Sequence, residues 1–199
     1  MLAAMRIIAG EHRGRRIEAP PGLDTRPMLD RVREALFSTL GELVADADVL
    51  DLFAGSGSLG LEAASRGAKA VRSIEKDPRA VAILRRNVEA LGLGDRVEVV
   101  RGDALRPELW SSGEAPAAAD LAFLDPPYSR IESLEGRAQV LDGMRSLLRE
   151  VLRPGGCLVL HVPSRATASL AVEGPWRRDE RRYGNSGLLY LHKPGRRST

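Results

Sequence analysis

The run Asp48-Val49-Leu50-Asp51-Leu52-Phe53-Ala54-Gly55-Ser56-Gly57-Ser58-Leu59-Gly60 decides how the rest of the chain is read. Its first six residues form a short apolar stretch of strand type. The glycines behind them make a tight turn into a helix carried by Leu59, Leu61, Ala63 and Ala64. The same order recurs downstream. Ala70-Val71-Arg72-Ser73-Ile74 predicts a second strand, followed by a helix from Asp77 to Leu91 that opens on an Asp cap and a proline. Arg96 to Val100, Asp120 to Leu124 and Cys157 to Val162 predict three more strands, with a helix over Ala138 to Leu152 ahead of the last. Trp176 to Arg182 and Leu188 to His192, around Gly184-Asn185-Ser186-Gly187, predict an antiparallel hairpin. Strands alternating with helices at this spacing predict a parallel α/β sheet with helices on both faces. Such sheets hold ligands at the carboxyl ends of their strands.

Upstream, Arg6-Ile7-Ile8-Ala9 and Arg15-Arg16-Ile17-Glu18 flank Gly10-Glu11-His12-Arg13-Gly14 as a small basic hairpin, ended by Pro20-Pro21-Gly22. Val32, Leu36, Leu40 and Leu43 fall at helical spacing, so one amphipathic helix is expected from Asp30 to Leu43. The chain therefore divides into a hairpin-and-helix extension over residues 1–44 and a sheet domain over 45–199. A length of 199 residues leaves little for a further domain.

The formal charge of +3 conceals a distribution: +2 over residues 1–34, −4 over 35–175 and +5 over 176–199. An acidic-leaning middle between basic ends points to an anionic partner touched by the termini. No run approaches the roughly 18 consecutive apolar residues of a membrane span. Met1-Leu2-Ala3-Ala4-Met5-Arg6 turns basic too soon for a signal peptide. Cys157 is the single cysteine and the three histidines are scattered, so neither an intramolecular disulfide nor a zinc cluster is expected, and no metal is assigned. A secreted scaffold, a membrane protein and a structural zinc protein are excluded. A cytoplasmic domain is expected.

The strand ends carry the chemistry. Gly55, Gly57 and Gly60 satisfy G-x-G-x-x-G, which lets a backbone approach a ligand closely and aims helix N-terminal amides at it. Asp51 argues against a dinucleotide, because a carboxylate just before the turn repels a pyrophosphate and attracts an ammonium group. Glu75, 15 residues after Gly60, can accept both hydroxyls of a ribose, and Asp103 in Gly102-Asp103-Ala104 can accept from an adenine amino group. Three acids on three successive strand ends describe a ligand with an ammonium group, a ribose and an adenine, and no phosphate. The fourth strand ends in Asp125-Pro126-Pro127-Tyr128. Its prolines remove two N–H donors and stiffen the loop, leaving a carboxylate, the Pro126 carbonyl and a ring. A planar amine can donate to Asp125 and to that carbonyl while Tyr128 stacks on the attached base.

These residues resemble the S-adenosylmethionine-dependent amino-methyltransferases. Met5-Arg6-Ile7-Ile8-Ala9-Gly10, Thr25-Arg26-Pro27 and Asp30-Arg31-Val32-Arg33-Glu34 narrow the resemblance to the bacterial 16S rRNA guanine-N2 methyltransferases of the RsmD type, over Met5 to about His192. There are two departures: Met28 where a small polar residue is expected, and four residues ahead of the usual Met-Arg start. The resemblance implies a seven-stranded Rossmann-like class I methyltransferase sheet with the terminal hairpin as its antiparallel edge. It implies S-adenosylmethionine as cofactor, with Asp51, Phe53, Ala54, Gly55 and Gly57 around its methionine part, Glu75 at the ribose, and Asp103 and Ala104 at the adenine. Asp125, Pro126, Pro127 and Tyr128 become the catalytic loop on a flipped-out guanine, guanine 966 in the family. Arg6, Arg13, Arg15, Arg16, Arg26 and Arg31 become the RNA contacts. The implied partner is 16S rRNA, free or in a small-subunit assembly intermediate, with the protein a monomer. On the residues alone three alternatives stay open: an amino-methyltransferase for DNA adenine N6 or protein glutamine, an NAD-dependent oxidoreductase, and a silent RNA-binding protein.

Overall fold

The computed structural model describes residues 5–19, 28–111 and 118–195. Seven strands form one sheet: β3 (Asp48–Leu52), β4 (Ala70–Glu75), β5 (Val97–Arg101), β6 (Ala119–Leu124), β7 (Leu152–Pro163), β8 (Arg177–Tyr183) and β9 (Ser186–His192). Their spatial order is β5-β4-β3-β6-β7-β9-β8, and a separate two-stranded ribbon pairs β1 (Met5–Arg6) with β2 (Arg16–Ile17). Strands β3 to β7 run parallel; β9 returns antiparallel to β7, and β8 closes the edge antiparallel to β9. The order reverses between β3 and β6, so a crevice opens at their carboxyl ends, where Asp51 and Asp125 lie.

Alternation along each strand sends side chains to two cores. Val49, Val71, Leu121, Phe123 and Val159 pack under α1 (Asp30–Leu40), α2 (Ser58–Ser65) and α3 (Pro78–Leu91). Leu50, Leu52, Ile74, Leu124 and Leu160 pack under α5 (Leu134–Ser146), which follows the single turn α4 (Tyr128–Glu132). Helices thus cover both faces, as alternation predicts. Met5, Ile7, Ile17 and Ala19 join the first of these cores, so the segment before residue 45 shares its packing with the sheet. Among the described residues no helix is long and apolar enough to cross a membrane.

Three element ends differ from the sequence reading. The first helix stops at Leu40 because Gly41 adopts φ +53°, and Leu43, expected on its buried face, is exposed while Val44 turns inward. Helix α5 starts at Leu134, ahead of Ala138, because the Ser133 hydroxyl accepts the Gly136 N–H at 3.0 Å; one wider turn, Leu147–Val151, then carries the chain into β7. Strand β7 begins at Leu152, running through Gly155 and Gly156, with its pairing to β6 shifted between Ala119 and Leu121. By contrast, α3 begins as its sequence dictates: Asp77 accepts the Arg79 N–H at 2.7 Å and Pro78 opens the first turn. Pro20-Pro21-Gly22 and Thr25-Arg26-Pro27 lie outside the described residues.

Candidate active site

The turn between β3 and α2 is built by backbone angles that few side chains tolerate. Phe53 (φ +64°), Gly55 (φ +57°) and Gly57 (φ +89°) all lie in the left-handed region. Gly60 is glycine for a different reason. A Cβ there would stand 2.7 Å from Asp51 Oδ2 and 2.9 Å from Ser73 Oγ. Its absence lets α2 settle onto Asp51, to which the Gly60 N–H donates at 3.0 Å. Asp51 is 1% exposed, and among the described residues no cation pairs with it. Burial pushes its carboxyl up to about 7, and the charges of Asp125 and Glu75 push the same way against the Gly60 hydrogen bond and the nearby Ser73 hydroxyl. The carboxylate that the sequence offers to an ammonium group thus lies beneath the turn, desolvated.

Half-buried Glu75 ends β4 and braces the same turn. Its Oε2 accepts the Gly55 N–H at 2.8 Å, and its Oε1 accepts from the Lys76 and Asp77 amides. Ala54 is buried and donates to the Ile74 carbonyl. On the far side of β5, Asp103 is half-buried and Ala104 is buried with its carbonyl held by Trp110 Nε1 at 2.9 Å. Arg130, from α4, lies between Asp103 (3.6 Å) and the Phe53 ring (5.3 Å to its centre). A cavity of about 340 Å³ continues from there, with Asp103, Trp110, Arg130 and Asp142 in its wall. The sequence reading did not find Arg130, which sits in α4 with no motif of its own.

Asp125 leaves β6 beside the end of β3, its N–H donating to the Leu52 carbonyl at 3.2 Å. Pro126 is buried, Pro127 precedes α4, and half-buried Tyr128 opens it. The partner of Asp125 is a residue the sequence reading passed over. His161 Nδ1 lies 2.8 Å from Asp125 Oδ1, and the His161 ring is 3% exposed, with its centroid 6.0 Å from that of Tyr128. One signal was available: His161 is the one polar side chain in the apolar run Leu158-Val159-Leu160-His161-Val162, one step beyond Leu160, which pairs with Leu124, one step before Asp125.

The described arginines assigned to RNA are placed on the surface. Arg6, Arg13, Arg15, Arg16 and Arg31 are exposed; Arg26 lies outside the described residues. Arg6 approaches Asp30 at 3.5 Å, and Arg15 donates to the Ala90 carbonyl at 2.5 Å. What seats the hairpin is Glu62 of α2, fully buried. It accepts the Ile8 and Ala9 amides at 2.7 and 3.0 Å and Arg66 Nε at 2.7 Å, with buried Arg33 3.9 Å away. Asn87 of α3 ties the other hairpin arm to the glycine turn: its amide donates to both the Glu18 and the Ser56 carbonyls at 3.0 Å. Hairpin and turn are held from the same two helices. Among the described residues no group of three or more His, Cys, Asp or Glu side chains is placed to hold a metal ion.

Comparison with known proteins accords with this arrangement. The family model described as "Conserved hypothetical protein 95" matches residues 5–192. The ribosomal RNA small subunit methyltransferase D of Escherichia coli (strain K12) is 40% identical over 126 residues, 63% of this chain and 61% of the relative. The chain thus aligns with about three fifths of that relative's length. The solved structure of yhhF from Escherichia coli superposes with a TM-score of 0.79 at 30% identity, over 98% of this chain and 100% of that one. An RNA methyltransferase of Salinibacter ruber, solved with S-adenosyl-L-homocysteine, shares the fold at 22% identity and a TM-score of 0.60, over 84% and 94% of the two chains. The chain belongs to the conserved hypothetical protein 95 family, the RsmD-type group of the S-adenosylmethionine-dependent amino-methyltransferases.

Proposed function

We propose that this protein transfers a methyl group from S-adenosylmethionine to the exocyclic N2 of a guanine in small-subunit (16S) rRNA, guanine 966 by family resemblance, in the cytoplasm. The observation that carries the reading is a buried Asp51 with no cation partner among the described residues, made more proton-retentive by Asp125 and Glu75. A desolvated carboxyl ringed by carboxylates fits a ligand that brings its own positive charge. It does not fit a pyrophosphate, and this disfavours the NAD reading.

In this reading Asp51, Phe53, Ala54, Gly55 and Gly57 surround the methionine part, Glu75 the ribose, and Asp103 and Ala104 the adenine. Bound S-adenosylmethionine supplies a methyl on a sulfonium that is its own leaving group, so the nitrogen–carbon bond forms as the sulfur–carbon bond breaks, with no covalent enzyme intermediate. The chain's task is the nucleophile. An exocyclic amine conjugated to its ring is a poor one. Asp125 and the Pro126 carbonyl accept its two hydrogens, aim its lone pair and stabilise the positive charge that develops on nitrogen. The extra proton leaves afterwards to Asp125 or to water. Tyr128 stacks on the base, which leaves its own stack at a cost of a few kcal/mol offset by contacts from Arg6, Arg13, Arg15, Arg16, Arg26 and Arg31. The 40% identity to a small-subunit rRNA methyltransferase supports the RNA assignment.

Labelled S-adenosylmethionine incubated with the protein and small-subunit rRNA, naked or in assembled particles, tests the reading against DNA. Label at one guanine N2 is expected, reduced about 10²- to 10³-fold by Asp125→Asn, the size of losing one positioned transition-state group. Label appearing in DNA alone overturns the rRNA assignment.

A further inference from the structure

We infer that His161 is a positioning residue for the methyl transfer, holding Asp125 by one oxygen so that the other faces the substrate amine. The inference rests on the proposed reaction and adds a residue to it. Three observations carry it.

First, the contact is specific. His161 Nδ1 meets Asp125 Oδ1 at 2.8 Å, from neighbouring parallel strands whose register sets Leu160 against Leu124. An ionised carboxylate only accepts hydrogen bonds, so the shared proton resides on Nδ1. Second, the ring is buried at 3% exposure, and among the described residues its Nε2 has no hydrogen-bond partner. A proton on Nε2 would be left without an acceptor, whereas a proton on Nδ1 has Asp125 to donate to, so the surroundings favour Nδ1 as the donor nitrogen. A ring kept for packing alone would be better replaced by an aliphatic residue like its neighbours Leu158, Val159, Leu160 and Val162. Third, the surroundings give Asp125 a need for such a donor. Asp51 on β3 is a second carboxyl within electrostatic range of Asp125, and Tyr128 on α4 sets its ring 6.0 Å from that of His161, centre to centre. His161 supplies a side-chain hydrogen bond to Asp125.

A carboxylate on a single rotatable bond presents either oxygen and swings. With Oδ1 held, Oδ2 remains for one hydrogen of the amine while the Pro126 carbonyl takes the other. Misplacement of such a group by an ångström costs about 10²-fold in rate.

Two measurements on the full chain test this. In protein labelled with ¹⁵N-histidine, the His161 resonances should report a protonated Nδ1 and a bare Nε2, a preference lost in Asp125→Ala. A wild-type spectrum showing the Nε2–H tautomer overturns the inference whatever the activity. In the rRNA assay, His161→Leu should lower kcat about 10²-fold with the KM for S-adenosylmethionine within twofold. His161→Asn, whose amide reaches the Nδ1 position, should recover at least tenfold of that loss. Equal impairment of both variants, or a His161→Leu kcat within twofold of wild type, overturns the inference while the methyltransferase reading stands. An Asp125→Asn variant as active as wild type removes that reading instead.

Discussion

Helix α2 has a buried carboxyl on each side of it, and the two are treated in opposite ways. Glu62, fully buried, is surrounded by opposite charge: Arg66 at 2.7 Å, Arg33 at 3.9 Å and two hairpin amides. Asp51, 1% exposed, has one backbone N–H, one hydroxyl and two like charges in range, and its carboxyl rises to about 7. Proteins bury charge only with compensation. Where compensation is complete the group is architecture, here the clasp that seats the N-terminal hairpin. Where it is missing, the proposed function supplies a cation carried by the ligand. The comparison separates structure from function among acids that look alike in the sequence.

Breaking the compensated side should have the largest effect. Glu62→Ala strips Arg66 of its partner, leaves buried Arg33, already pushed below its ordinary range chiefly by desolvation, with Asp30 alone, and frees the Ile8 and Ala9 amides. A loss of about 3–5 kcal/mol is expected, as for other buried pairs stripped of one member. Chemical denaturation measures it. A loss below about 1 kcal/mol would mean that the hairpin is seated without Glu62, by its apolar contacts and by Ser65 and Asn87.

The uncompensated side should respond in the opposite sense. Asp51 retains its proton in the folded protein to about pH 7 and releases it near 4 when unfolded. Without ligand, the folded state therefore loses stability as pH rises from about 4 to 7, and no further above that. Asp51→Asn keeps an acceptor for the Gly60 N–H and removes the charge. It should flatten that slope and leave the protein at least as stable at pH 8. A cation that binds the ionised form pulls the equilibrium back. S-adenosylmethionine affinity should thus rise about tenfold between pH 6 and pH 8, with a proton released on binding, and calorimetry in two buffers should show Asp51→Asn losing both. PH-independent binding by the wild type would assign the cation to another carboxylate.

The same contrast explains what could be read before any coordinates. Alternating strands and helices declared the sheet, since period-two and helical spacings are set by burial on two faces. Asp51, Glu75, Asp103 and Asp125 were legible because strand ends in a parallel sheet converge wherever the strands pair. Depth was not legible. That Asp51 lies under the turn follows from a missing Cβ at Gly60 and the descent of α2, which a sequence does not state. Glu62 reads as one more surface acid on a helix, because its partners come from Ile8, Ala9 and Arg33, more than fifty and about thirty residues away. His161 needed the β6–β7 register. Helix ends misread at Leu43 and Ala138 turned on single residues, Gly41 and Ser133, that override periodicity locally.

Cations sort by the same rule, and here the expected effect is smallest. The edge strand β8 is as rich in arginine as the hairpin, but three of its four arginines are answered within the strand. Arg181 pairs with Asp179, and Arg178 and Arg182 pair with Glu180, whose carboxyl is held down to about 2 by Thr167, Arg182 and Arg178. On the hairpin, Arg13 and Arg15 are exposed, and Arg15 meets a carbonyl, which leaves its charge in place. A polyanion gains from displacing counterions at the hairpin and has to compete with Asp179 and Glu180 at the edge strand. Replacing Arg13 and Arg15 together by Ala should therefore weaken rRNA binding several-fold and reduce the slope of log affinity against log salt by about 1–2, the share of two phosphate contacts. Replacing Arg181 and Arg182 should change that slope by less than about 0.5. A gel-shift titration across salt reads both. Equal slopes for the two double variants would mean that pairing within β8 does not shield its arginines, and an unchanged slope for Arg13 and Arg15 would remove the hairpin from the phosphate contacts while leaving the methyl-transfer site untouched.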